Sequence, residues 1–132
     1  MRVLDEPIQK IELKKADFVF PDKGEIVYQH QSLAGGRWAE MSFCDQMGNI
    51  GSEVSRSLKA QSIGKEKRLR GAIARALELF DLTIACNRGA RLKEVCRARE
   101  EFCDYFFNDN SFHTDPVKLQ RYYDGFAVLA RQ

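Results

Sequence analysis

Long apolar runs are missing from this chain of 132 residues. Its apolar stretches are only a few residues long, whereas a helix that crosses a membrane needs about 20. The first ten residues, MRVLDEPIQK, also lack the apolar core of a secretory signal. We therefore expect a cytoplasmic protein with no membrane partner.

Residues that often bind metals or carry catalysis are scarce. The chain has only two histidines and four cysteines: His30, His113, Cys44, Cys86, Cys96 and Cys103. No two cysteines form a Cys-x-x-Cys pair, and neither histidine is spaced with them as a zinc ligand would be. We expect the cysteines to be reduced, small apolar residues of the core, and we expect no metal and no cofactor.

The common signatures of active sites are also absent. The segment SIGKE (62–66) contains Gly-Lys but neither the upstream glycine nor the following Ser or Thr of a phosphate-binding loop. The chain has no Gly-x-Ser-x-Gly elbow, no His-Glu-x-x-His and no Glu-x-x-His pair. No arginine lies five to seven residues before a histidine, which excludes the Arg-x4–6-His motif of small helical ribonucleases. We predict no catalytic residues and a protein that is not an enzyme.

The first 36 residues have the pattern of a β-hairpin extension. The segments ADFVF (16–20) and EIVYQH (25–30) alternate polar and apolar residues, and PDKG between them is typical of a turn. This pattern predicts strands near 16–20 and 25–30. Because an isolated hairpin is only marginally stable, it must pack against the helical body or a neighbouring subunit.

From Trp38 onward the apolar residues repeat with the period of an α-helix. The first helical stripe consists of Phe43, Met47, Ile50, Val54 and Leu58. A second stripe extends from Leu69 to Ile84 within a helix over 64–86, and a third helix covers 91–107.

The fourth helix has a clear start. Asp115 is placed as its N-cap and Pro116 as its first residue. One face is then lined by Leu119, Tyr122, Phe126 and Leu129. The short polar connections favour antiparallel neighbours, so the prediction is an all-α protein in which an up-down-up-down four-helix bundle over 37–132 follows the extension 1–36.

Positive charge is concentrated in the middle of the chain. The net charge is only +2, but residues 56–99 hold twelve Lys or Arg against four Asp or Glu. On a helical wheel centred on Ile73, Lys67, Arg68 and Arg75 fall about 120–160° from the core direction. Clustered cations are sufficient for contact with phosphates. The candidate nucleic-acid-binding residues are Arg56, Lys59, Lys65, Lys67, Arg68, Arg70 and Arg75.

An ordinary solvated helix face remains the alternative for these cations. No aromatic residues are interleaved with them for base stacking, and no known DNA- or RNA-binding signature is present.

Arg99 lies near the centre of the apolar stripe of the third helix. A buried arginine without a partner is very costly, so we expect Arg99 either to extend to the rim of the core or to form a structural ion pair with Glu53 or Asp81.

A surplus of aromatic residues marks the C-terminal part of the chain. The residues concerned are Tyr105, Phe106, Phe107, Phe112, Tyr122 and Tyr123. Either another subunit or a protein partner buries them, or the loop and the hairpin cover them. The first case fits a protein-interaction or structural module with no role in nucleic-acid binding.

Three segments carry a resemblance to a known family: WAEMSFCDQMGNIGSEVSR (38–56), RALELFDLTIA (75–85) and RLKEVCRAREEFCDYFF (91–107). Their order and spacing resemble bacterial four-helix-bundle proteins of the 23S rRNA-intervening-sequence type. That group includes Avd, the accessory protein of diversity-generating retroelements. The resemblance spans most of residues 38–130 and includes Asn49, Ile50 and Glu53.

The resemblance implies a non-enzymatic homo-oligomer, often a pentameric ring. In Avd the basic surface of the ring contacts RNA and a reverse transcriptase. The corresponding cations of this chain would be those of residues 56–75. The N-terminal hairpin is not part of the family pattern.

Overall fold

The computed structural model describes Leu13 and residues 36–132, and this part of the chain is all-α. It contains one helix of three residues, α1 (Trp38–Glu40), and four long helices: α2 (Phe43–Ser62), α3 (Glu66–Cys86), α4 (Gly89–Phe107) and α5 (Pro116–Ala130). The prediction of a helical body is confirmed. The predicted strands at 16–20 and 25–30 lie outside the described residues. None of the helices described is long and apolar enough to cross a membrane.

Local sequence signals determine where the long helices begin and turn. The Asp115 carboxylate accepts a hydrogen bond from the backbone N–H of Lys118 at 2.9 Å, which confirms the predicted N-cap of α5. The Ser42 hydroxyl caps α2 in the same way, so the helix does not run on from Trp38. Between α2 and α3, Gly64 has a φ of +70°, a conformation that favours glycine. This tight turn places α2 and α3 side by side.

The helices pack as antiparallel neighbours. At one end, the indole N–H of Trp38 donates to the Thr83 hydroxyl at 2.9 Å, so the beginning of α2 lies beside the end of α3. α2 also packs against α5, and α3 against α4. The close approach of Gly48 to Ala127 and of Gly51 to Tyr123 shows that α5 runs opposite to α2.

The core stripe of α5 differs from the prediction by one residue. Leu119 is buried as expected, but the second fully buried residue is Tyr123, whereas Tyr122 and Phe126 are only half-buried and Leu129 is exposed. The reason is the missing side chain of Gly51, which leaves room on α2 for the Tyr123 ring. The helical period was correctly predicted, but the rotation of the helix about its axis was not.

Most of the six C-terminal aromatic residues pack in or against the core of this chain. Phe106 and Tyr123 are buried, and three more of the six residues pack half-buried against the core: Tyr105, Phe107 and Tyr122. Phe112 alone among the six is exposed. Phe106 and Tyr123 therefore need no cover from another subunit or from the hairpin, and for the other four the expectation stays a prediction.

The cysteines also differ from the expectation. All four are free thiols, but only Cys103 is buried, while Cys44 and Cys96 are half-buried and Cys86 is exposed. The prediction of four core cysteines is wrong for Cys86, because the last turn of α3 places it at the surface.

Replacing Gly51 with alanine is expected to lower the free energy of unfolding by about 1–2 kcal/mol. A Cβ at Gly51 would lie 2.5 Å from the Cβ of Tyr123, so α2 and α5 would have to separate. Overpacking of about 1–3 kcal/mol outweighs the gain in helix propensity of up to about 1 kcal/mol. Urea unfolding followed by the fluorescence of Trp38, the single tryptophan, measures the change.

Gly125→Ala is the matched control, because no atom lies within 4 Å of the added Cβ. It should raise the free energy of unfolding by about 0.5–1 kcal/mol. Equal stability of the two variants would show that α2 and α5 do not approach closely at Gly51.

Candidate nucleic-acid interface

A groove of about 550 Å³ lies between the second half of α2 and the first half of α3. Five of its eight lining residues are basic and none is acidic. The complete lining is Arg56, Lys59, Ala60, Ile63, Lys67, Arg68, Gly71 and Arg75. Within each of the two segments the lining residues are one, three, four, seven or eight positions apart, which places them on one helix face. The antiparallel turn at Gly64 then brings the two basic faces together.

Glu53 fixes two of the arginines of this groove. Its side chain is only 9% exposed and each carboxylate oxygen accepts one guanidinium. The Oε1 atom lies 2.7 Å from Nη1 of Arg56, and the Oε2 atom lies 3.1 Å from Nε of Arg75. The two charge-assisted hydrogen bonds offset the cost of burying the Glu53 carboxylate, and they restrict the motion of both guanidiniums.

This arrangement corrects two sequence predictions. Glu53 was a candidate partner for Arg99, but it pairs with Arg56 and Arg75 instead. Arg75 was placed on the outer face of its helix, toward solvent, but its guanidinium donates to Glu53 on α2. The helical wheel of α3 could not show this contact, because the partner belongs to another helix.

The remaining three cations of the groove are open to solvent. Lys59, Lys67 and Arg68 are exposed and make no ion pair with any residue that the structure describes. Five cations line the groove and one carboxylate, Glu53, pairs with two of them, so the groove as a whole carries an excess of positive charge. Such cations are free to exchange their counterions for phosphates.

Two of the seven predicted cations do not line the groove. Arg70 donates from Nε and Nη2 to Glu66 at 3.2 and 2.9 Å, one helical turn back on α3. Lys65 is exposed in the turn before α3. Lys65 adds positive charge from outside the groove, whereas the charge of Arg70 is offset by Glu66.

Arg99 pairs with Asp81, the other of its two predicted partners. Its Nε lies 3.1 Å from Oδ1 of Asp81, and both side chains are mostly buried between α3 and α4. Burial raises the pKa of Asp81, and the charge of Arg99 and its hydrogen bond counteract this rise. The pair links two helices and does not line the groove.

The remaining residues of the groove are apolar. Ala60, Ile63 and Gly71 form what we term the apolar wall. Only cations were predicted as binding residues of this surface, although Ile63 directly before the turn glycine was a usable signal for an apolar contact. The lining combines five cations with a small apolar surface, which is the chemistry of a binding site for anions. No group of three His, Cys, Asp or Glu residues in 36–132 is placed to hold a metal ion.

No protein-family model, curated protein or solved structure matches this chain. Its function is therefore inferred from the groove and the charges around it.

Proposed function

We propose that this protein is a non-enzymatic accessory protein, an up-down-up-down four-helix bundle that binds RNA or DNA through the α2–α3 groove. The observation that carries the proposal is the convergence of five cations on one groove with no acid in its lining. Phosphate contacts supply most of the non-specific affinity for nucleic acids, and three of these cations are unpaired within the described chain.

The cellular setting of the proposal rests on the sequence resemblance. On that basis it forms a homo-oligomer such as a pentamer and supports a reverse transcriptase; its placement in the cytoplasm follows the expectation drawn from the sequence composition. The resemblance assigns nucleic-acid contacts to the cations of residues 56–75. The same residues belong to the two helix segments that form the groove.

Exposed apolar side chains favour a second candidate, a protein-interaction or structural module. The residues are Phe112, Val117, Val128 and Leu129. Val117 and Val128 are eleven residues apart on α5, a rise of about 16 Å, so the four do not form one patch. The basic groove is the more concentrated feature, and nucleic acid is therefore our proposal.

Binding should weaken steeply as salt is added. Between three and five phosphate contacts on a single strand give a slope of about −2 to −3.5 in a plot of log affinity against log salt. Raising salt from 50 to 200 mM should then reduce the affinity for a labelled random RNA by about 15- to 130-fold, as measured by fluorescence anisotropy. A flat salt response would remove the nucleic-acid proposal.

Charge reversal tests whether the groove is responsible. Lys67→Glu with Arg68→Glu should reduce affinity at least tenfold and lessen the salt slope by about 1.4, because two phosphate contacts are lost. Lys118→Glu with Arg121→Glu is the matched control, since both residues are exposed on α5 and the change in net charge is identical. Equal losses in the two variants would show a general charge effect. Arg75 is unsuitable for reversal, because a carboxylate there would face Glu53.

A further inference from the structure

The apolar wall distinguishes the groove from a simple patch of cations. Ala60 is buried at its base, and Ile63 is 49% exposed although charged side chains surround it. A ligand that presented only phosphates would leave this apolar surface uncovered. The groove therefore suits a ligand with negative charge at its edges and a flat, weakly polar face between them.

A nucleobase supplies such a face only when it is unpaired. In a duplex the bases stack inside and the exposed backbone consists of phosphate and sugar, whereas in a single strand the bases can turn outward onto a protein surface. A cavity of about 550 Å³ also falls within the range that encloses a ligand of nucleotide size, about 300–1,000 Å³.

The two arginines held by Glu53 supply the stacking surfaces that the groove otherwise lacks. Guanidinium planes stack on bases in the way that aromatic rings do. The carboxylate fixes Arg56 and Arg75 before any ligand arrives, at 2.7 and 3.1 Å. Gly71 helps to accommodate Arg75, because a Cβ at this position would lie 3.3 Å from its Nη1 atom.

We propose that the groove is a single-strand site, in which one unpaired base lies against the apolar wall beside the guanidiniums of Arg56 and Arg75. Lys59, Lys67 and Arg68 then contact the flanking phosphates, and Glu53 is a positioning residue for the two arginines. This inference rests on the proposed function and specifies its ligand as single-stranded nucleic acid.

Three labelled DNA probes of equal length test the inference: a single strand, a strand of abasic sites, and a duplex. At 100 mM salt the single strand should bind about tenfold more tightly than the abasic strand, since one stacked base contributes about this factor or more. The duplex should also bind more weakly than the single strand. Fluorescence anisotropy provides the three dissociation constants.

Ile63→Ser tests the apolar wall directly. It should lower the affinity for the single strand toward that for the abasic strand and leave the abasic strand unaffected. Val128→Ser is the matched control, because Val128 is 56% exposed on α5 outside the groove, against 49% for Ile63. Neither substitution removes a buried side chain, so both variants should fold.

Glu53→Gln separates the positioning of Arg56 and Arg75 from the electrostatic effect of the Glu53 charge. Removing a negative charge should strengthen binding of every probe if electrostatics alone operates. Release of the two arginines should instead weaken binding of the single strand, while the abasic strand binds as well as before or better. Trp38 fluorescence checks that the variant keeps its fold.

The outcomes distinguish this inference from the proposed function. Salt-sensitive binding of all three probes with equal affinity would overturn the single-strand site and leave nucleic-acid binding in place. Absence of salt-sensitive binding to any probe would overturn both. Tighter binding of the single strand by Glu53→Gln would overturn the positioning role.

Discussion

Phe80→Ala should lower the free energy of unfolding by about 3–5 kcal/mol, the range for removing a fully buried aromatic ring. Phe80 is completely buried where α3, α4 and α5 meet. Its ring centroid lies 5.4 Å from that of Phe102 and 6.4 Å from that of Tyr123. The cavity left by alanine cannot close without moving one of the three helices. Because domains of this size are stable by only about 5–15 kcal/mol, the variant should be marginally folded.

Urea unfolding followed by circular dichroism and by Trp38 fluorescence measures this loss. Phe112→Ala removes the same ring from a position that is 55% exposed in the loop before α5, and it should change stability by no more than about 0.5 kcal/mol. Similar losses in the two variants would show that Phe80 does not join the three helices.

Arg99→Ala should destabilise the protein by about 2–3 kcal/mol at neutral pH. The variant leaves the Asp81 carboxylate in a mostly buried position without the guanidinium 3.1 Å away. Loss of one partner of a fully buried pair costs about 3–5 kcal/mol, and partial exposure of this pair reduces the effect. Arg97→Ala, an exposed arginine on the same helix, is the control and should have little effect.

The loss of stability caused by Arg99→Ala should become smaller as the pH falls. Burial already raises the pKa of Asp81, and removal of Arg99 raises it further, because the charge that favoured the carboxylate is gone. A carboxyl group with a raised pKa in the folded state contributes stability at low pH, which is lost as the pH rises through that pKa. The difference from the parent protein should therefore be smaller at pH 4.5 than at pH 7.

A second substitution tests whether the unpaired Asp81 carboxylate causes the loss of stability in Arg99→Ala. Asp81→Asn in the Arg99→Ala background removes the stranded charge and should recover at least half of the lost stability at pH 7. Failure to recover stability, together with a loss that does not vary with pH, would contradict the role assigned to the pair.

The sequence was sufficient to predict the helices because their signals are local. The apolar repeat from Phe43 to Leu58 predicted α2. Asp115 followed by Pro116 predicted the first residue of α5 correctly. Polar connections and tight turns, such as the one at Gly64, depend on neighbouring residues only. Each of these features is decided within a few residues of chain, so each can be predicted from the sequence.

The rotation of α5 and the partners of the buried charges could not be predicted in the same way. Tyr123 faces the core because Gly51, 72 positions earlier, lacks a side chain. The choice of Asp81 for Arg99, and of two arginines for Glu53, depends on distances between helices that a wheel drawn for one helix does not contain.

By itself, the sequence determined that the body is helical and that residues 56–75 are rich in cations, since periodicity and charge are properties of the chain. Only the tertiary structure decided that five of those cations line one groove, that Glu53 restrains two of them, and that Ile63 provides an apolar wall beside them. The physical reason is that a site is made of residues from two helices, and their separation is fixed by how the side chains between them pack.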